Sequence, residues 1–135
     1  MQYMLLIYLE ENALSESERE QCYKDCTAFA HQLNKIGKYV SASPLQPTST
    51  ATSVRLRDGK RLITDGPFAE TREQLGGFFL VKAKDLDDAI DIAARIPAGR
   101  WGTVEIRPLV EIENLPEKSF SPAVEFTRSE STDRR

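Results

Sequence analysis

The first residues, "QYMLLIYL" from Gln2 to Leu9, carry apolar side chains at both odd and even positions. A strand with one wet face alternates, so this run predicts a central strand covered on both sides. The period then lengthens. "SESE", Ser15 to Glu18, has the form of a capping box, and Cys22, Cys26, Phe29, Leu33 and Ile36 recur at steps of four and three until Gly37, which predicts an amphipathic helix. "KYVSAS" reads as a second strand and "PLQPTSTATS" as a crossing without period. In "TSVRLRDGKRLIT", two alternating runs flank Asp58-Gly59, a pair that tolerates positive φ. A two-residue hairpin follows, with Val54 opposite Ile63 and Arg55 opposite Leu62. "GGFFLVKA" is a further strand, and "DLDDAIDIAARIP" a helix capped by Asp85, burying Leu86, Ala89, Ile90, Ala93 and Ile96 and stopped by Pro97. "WGTVEIRPLVEI" closes the pattern as a strand with Val104, Ile106, Val110 and Ile112 on one face and Glu105, Arg107 and Glu111 on the other.

This order contains β-α-β-β-α-β with an addition, and predicts an α+β, ferredoxin-like sandwich with an extra hairpin strand. Each helix has one apolar stripe, so both must cover the same sheet face. The other face is left with the second apolar row of the first strand, together with Tyr3 and Phe78 or Phe79. An apolar sheet face of that size calls for a partner, and a homodimer with sheets face to face is the simplest answer. The domain is expected to span residues 1–112. From 113 to 135 the chain has two prolines and weak periodicity; this extension is expected to end in about ten flexible residues, while Phe120, Val124 and Phe126 offer contacts to a partner.

Composition narrows the classes. The net charge of −3 and pI near 5.3 come from 18 basic and 21 acidic residues spread over both halves, which leaves no basic face for phosphates and argues against direct nucleic-acid binding. The longest apolar run, "MLLIYL", is far short of the roughly 20 residues that cross a bilayer, and no leader-like segment precedes it. A cytoplasmic protein without membrane contact is expected. Cys22 and Cys26 lie four apart on one helix, where a disulfide would distort the backbone, so they read as reduced core thiols. With one histidine and no further cysteine, a zinc site lacks ligands. No glycine-rich turn leads from a strand into a helix as a phosphate loop requires; neither a metal nor another cofactor is expected.

The chemistry-bearing stretch is "TDGPFAETREQLGGFFLV". Asp65 either accepts backbone amides to set the turn before Gly66-Pro67 or stands at a cleft mouth as a base or ligand-orienting group. Phe68 is a core plug or a stacking ring. Glu70 caps a short turn or shares a site with Asp65. Gly76-Gly77 admits a ligand's approach or marks a bulge. Glu105 and Arg107, two apart on a strand, share a face and either hold an anion or form a salt-bridge network lining a dimer cavity; Arg55 reaches the same face if the hairpin lies beside the closing strand.

The ordered blocks "PLQPTSTATSVRLRDGK", "TDGPFAETREQLGGFFLV" and "ARIPAGRWGTVEIRP" closely resemble the DGPF-domain family, a branch of the YCII-related proteins, over roughly Met1 to Ile112. The resemblance implies a dimeric α/β barrel and a biochemical activity that is largely unassigned in that family. It also implies a regulatory setting, since genes of the family are often found beside extracytoplasmic-function sigma factors. Relatives in the wider group look like enzymes with a His-Asp pair. This chain departs from that pattern: its sole histidine, His31, falls about 160° from the centre of the helix stripe at 100° per residue and is expected to face solvent, and no aspartate matches around Ile96 to Arg100.

Three functions remain open. One is a small dimeric protein that binds a small, anionic organic molecule in a cleft near the DGPF turn, through Arg55, Asp65, Phe68, Glu70, Glu105 and Arg107. A second is a cofactor-free enzyme, an isomerase, lyase or small monooxygenase, with Asp65 or Glu70 carrying the proton. The third is a protein interaction module.

Overall fold

The computed structural model describes residues 1–116; the docking role expected for Phe120, Val124 and Phe126 lies outside them. It is an α+β sandwich with antiparallel sheets and two helices, consistent with a ferredoxin-like fold. Strands β1 (Gln2–Leu9), β2 (Tyr39–Pro44), β5 (Gln74–Lys82) and β6 (Gly102–Pro108) form one sheet in the order β2-β5-β1-β6. The doubly apolar first segment is therefore central, paired to β5 and β6 on its two sides. Helices α1 (Glu16–Lys35) and α2 (Leu86–Ala94) supply the covering layer.

Both helices begin where their caps dictate. The Ser15 side chain accepts from the Glu18 N–H at 3.2 Å while the Glu18 carboxylate accepts from the Ser15 N–H at 2.8 Å. Asp85 accepts from the Asp88 N–H at 2.9 Å. Between the helices and the sheet lie Tyr3, Leu5, Ile7, Phe29, Leu33, Phe79, Val81 and Ile92, with Phe29 and Phe79 edge to face at 5.8 Å. An ion pair clamps the start of β2 to α2: Lys38 Nζ donates to both Asp88 oxygens at 2.7 and 2.8 Å, and Asp88 also accepts from the Lys84 N–H. These bonds hold the Asp88 carboxyl below the usual carboxylate range.

Several expectations need correction. Tyr3 and Phe79 belong to the buried core under the helices, not to the open face; that face carries Met4, Leu6 and Phe78, with Phe78 opposite Leu6 in register. Ile36 is exposed because α1 has already ended at Lys35. On α2, Leu86 and Ile90 are exposed and Ile92 is fully buried, which turns the inward stripe to Ala89, Ile92, Ala93 and Ile96. Strand β6 stops at Pro108, whose ring supplies no ladder N–H, and Val110 and Ile112 beyond it are exposed.

The hairpin has the expected register, Val54 opposite Ile63 and Arg55 opposite Leu62, with Asp58 and Gly59 both at positive φ. It does not add a strand to the main sheet. Strands β3 (Thr52–Arg57) and β4 (Lys60–Asp65) form a separate two-stranded sheet with Val54, Leu56, Leu62 and Ile63 exposed.

Candidate functional site

Small side chains on facing walls create a void beside the core. Along the inner side of α1, Cys22, Cys26 and Ala30 present short groups, and across from them stand Ala42 of β2 and the Gly76-Gly77 pair of β5. Phe29 and Leu33 of the same helix are buried in the core. The result is a cleft of about 860 Å³, within the range of sites that enclose small organic ligands. Ile7, Leu9 and Leu14 continue its apolar lining.

The glycine pair is explained by the backbone. The register of β1 with β5 skips from Ile7↔Gly77 to Tyr8↔Leu75, which makes Gly76 the extra residue of a bulge. A Cβ at Gly77 would stand 2.9 Å from the Ser43 carbonyl oxygen, so the close approach there is made by β2.

The mouth is bounded on one side by α1, where Tyr23, Thr27, Asn34 and His31 line it. His31 is exposed as its helix angle predicted, yet it stands on the outer lip rather than away from the cleft. On the other side a strap runs from Leu45 through the 3-10 turn Thr48–Thr50. One carboxylate pins it: Glu11 accepts from the Thr48 N–H at 2.7 Å and from the Thr48 hydroxyl at 2.8 Å, both charge-assisted bonds. Glu11 is itself held, since its N–H donates to Gln74 Oε1 at 3.3 Å and its carbonyl accepts from Arg19 Nη2 at 2.8 Å.

The DGPF turn meets the cleft through its backbone-shaping residues. Gly66 (φ +105°) and Pro67 line the mouth, and the Gly66 N–H donates to the Ala51 carbonyl at 2.8 Å, joining the hairpin's base to the strap. Asp65, the last residue of β4, is exposed, as is Glu70. Phe68 is 79% exposed with the Arg55 guanidinium 5.6 Å from its ring centroid, so it does not plug the core.

Glu105 and Arg107 lie elsewhere. They sit on β6, with β1 and β5 between that strand and β2, and pair with each other at 3.3 Å on the helix-free side. Tyr8 joins them: burial and then a hydrogen bond to Glu105 push its phenol above the ordinary value. Within one chain the six residues expected to form one site therefore fall into two groups, Arg55, Asp65, Phe68 and Glu70 around the hairpin and Glu105 with Arg107 on the sheet. Arg55 was expected beside Glu105 and Arg107 on the condition that the hairpin lay next to the closing strand, and the hairpin forms its own sheet instead.

Cys22 and Cys26 are free, half-buried thiols lining the cleft. Burial is the main cause that pushes Cys26 up to about 11, against a bond from the Ala98 backbone that lowers it; Cys22 is raised chiefly by burial as well. Both are neutral at ordinary pH and serve as compact apolar groups. Sequence reasoning missed Arg19, Glu11 and Thr48. A signal for the first existed, because Arg19 stands three residues before Cys22 and so continues the buried stripe of α1 with a cation.

The fold and cleft thus define a small α+β protein with a ligand-sized concavity between helix and sheet. The chain belongs to the YCII-related family, whose domain matches residues 1–113. It is 37% identical over 114 residues to an uncharacterized protein of Rhizobium meliloti (strain 1021), covering 81% of this chain and 92% of that protein. Among solved structures it is similar to 5-chloro-2-hydroxyhydroquinone dehydrochlorinase from Burkholderia phenoliruptrix AC1100, determined as a complex with 2,5-dihydroxybenzoquinone. The TM-score is 0.51 at 14% identity, over 84% of this chain and 97% of that one, a likeness of fold. Among the described residues no helix is long and apolar enough to cross a membrane, and no group of three or more His, Cys, Asp or Glu is placed to hold a metal ion.

Proposed function

We propose that this protein binds a small organic molecule with an apolar body in the cleft between α1 and the β2-β5 side of the sheet. The single observation that carries the reading is the cleft itself: about 860 Å³ left open by facing small side chains and lined mainly by apolar groups. A neutral reporter tests it. Nile red is expected to gain fluorescence with the full chain and to lose that gain in Ala42→Trp and in Ala30→Trp, which fill the void from opposite walls. Unchanged dye binding in both variants, with the fold intact by circular dichroism, would contradict the assignment.

The assembly belongs to the same proposal. Met4, Leu6 and Phe78 on the helix-free face, and the exposed Val54, Leu56 and Ile63 of the hairpin, are apolar surfaces that a second copy of the chain would cover by a two-fold contact. The Tyr8, Glu105 and Arg107 group would then border the shared space between the sheets, the setting of a dimeric α/β barrel. A sensor-like role linked to extracytoplasmic-function sigma factors, which the DGPF resemblance implies, suits a binding protein.

A cofactor-free enzyme is the second reading, favoured by His31 on the cleft's lip and by the dehydrochlorinase activity named for the structural neighbour. Asp65 and Glu70 stay as the alternative proton carriers near the Gly66-Pro67 side of the mouth. Chloride release from a chlorinated hydroxyquinol, lost in His31→Ala or in Asp65→Ala, would support it; no release would leave binding alone.

A further inference from the structure

We infer that the cleft selects monoanionic organic acids and that Arg19 is the group that holds the carboxylate. The inference rests on the reading of the cleft as a binding site and names its ligand class. Among the described residues Arg19 is the only lysine or arginine lining the cleft, and it is half-buried. Among the described residues the ion pairs are Lys38–Asp88, Arg72–Glu10 and Arg107–Glu105, so Arg19 has no acidic partner. One of its five N–H groups donates to the Glu11 carbonyl, which fixes the guanidinium; the others have no protein acceptor among the described residues. Among the described residues Glu11 is the only acid lining the cleft, and its two carboxylate oxygens accept from the N–H and hydroxyl of Thr48.

A guanidinium taken partly out of water without a carboxylate in direct contact is costly, and its planar fork matches a carboxylate in two parallel hydrogen bonds. Arg19 offers one positive charge, and the Glu11 carboxylate on the strap adds a negative one to the same cleft, which favours a ligand with a single negative charge over one with two. The lining beyond Arg19, with Leu9, Leu14, Ala30 and Ala42, suits an aromatic or medium-chain hydrocarbon body rather than a sugar or a polyanion.

Calorimetric titration of the full chain with 2-naphthylacetate and with the isosteric neutral 2-naphthylacetamide tests the inference. The acid is expected to bind at least about tenfold tighter than the amide, the scale set by one charge-assisted pair. Arg19→Gln should abolish that preference by weakening the acid far more than the amide, and Arg19→Lys should retain part of it. Equal affinities in the parent protein, or a preference that survives Arg19→Gln, would overturn the role of Arg19 and leave the cleft standing. Binding of neither probe would remove both.

Discussion

Single residues in this protein carry their roles through their surroundings. Cys26 is the plainest case. Its thiol is raised from the ordinary 9.0 to about 11, mainly by burial, so the folded chain retains a proton that the unfolded chain gives up. Below about pH 9 the thiol contributes its full share of stability; as pH rises toward about 11 that share is lost. Urea titrations at pH 8 and pH 10.5 should therefore register a smaller alkaline loss for Cys26→Ala than for the parent, and an identical loss would contradict the burial of this thiol. Asp88 works in the opposite sense. Its carboxyl is depressed by Lys38 and the Lys84 amide, so its contribution is present above the ordinary value of 3.8 and fades as pH falls through the depressed folded value. Lys38→Met should flatten the acid leg of the stability curve. Glu11 makes the structural link between strap and cleft. Glu11→Ala frees the Thr48 amide and hydroxyl, each a bond to a charged acceptor, and should raise the off-rate of a cleft ligand with a stability cost of about 1.5 to 3 kcal/mol.

At the scale of elements, much of the architecture was legible because local chemistry and tertiary position agree. The capping box at Ser15, the Asp85 cap, the Asp58-Gly59 turn and the unbroken apolar run of β1 each specify one structure, and each is present. Ser15→Ala should cost about 1 kcal/mol in thermal or urea unfolding, the usual worth of a lost N-cap. Gly102→Ala should be worse, since a Cβ there would overlap the Tyr8 carbonyl where β6 meets β1. What was not legible depended on which segments meet in space. An alternating hairpin looks the same whether it joins a sheet or leaves it, so the sequence of Val54 to Ile63 carried no sign that these strands pair only with each other. For the same reason the site drawn through Arg55, Glu105 and Arg107 splits across the molecule. A cleft near the DGPF turn was expected, but its lining was not legible for another reason: a void is an absence of volume, and Cys26, Ala30, Ala42 and Gly77 read separately as ordinary small residues. Only their apposition makes a space. Arg19 alone left a trace, as a cation on the line of a buried stripe.

For the whole molecule, the dimer proposal turns on the open side of the sheet and the projecting hairpin. An isolated two-stranded hairpin is marginal in water, and this one leaves Leu56 at 73% and Ile63 at 60% exposure. Sedimentation at micromolar concentration should give twice the chain mass of 15.2 kDa, with Leu6→Glu or Leu56→Glu shifting the population toward single chains; a single-chain mass for the parent would end the dimer proposal without touching the cleft. The central claim concerns that cleft. Amide chemical-shift mapping of the full chain titrated with 2-naphthylacetate addresses it most directly. The account predicts perturbations along the inner face of α1 from Arg19 to Asn34 and on the facing segment from Ala42 to Thr48. Perturbations confined to β3, β4, Phe68 and the Glu105–Arg107 pair would contradict it.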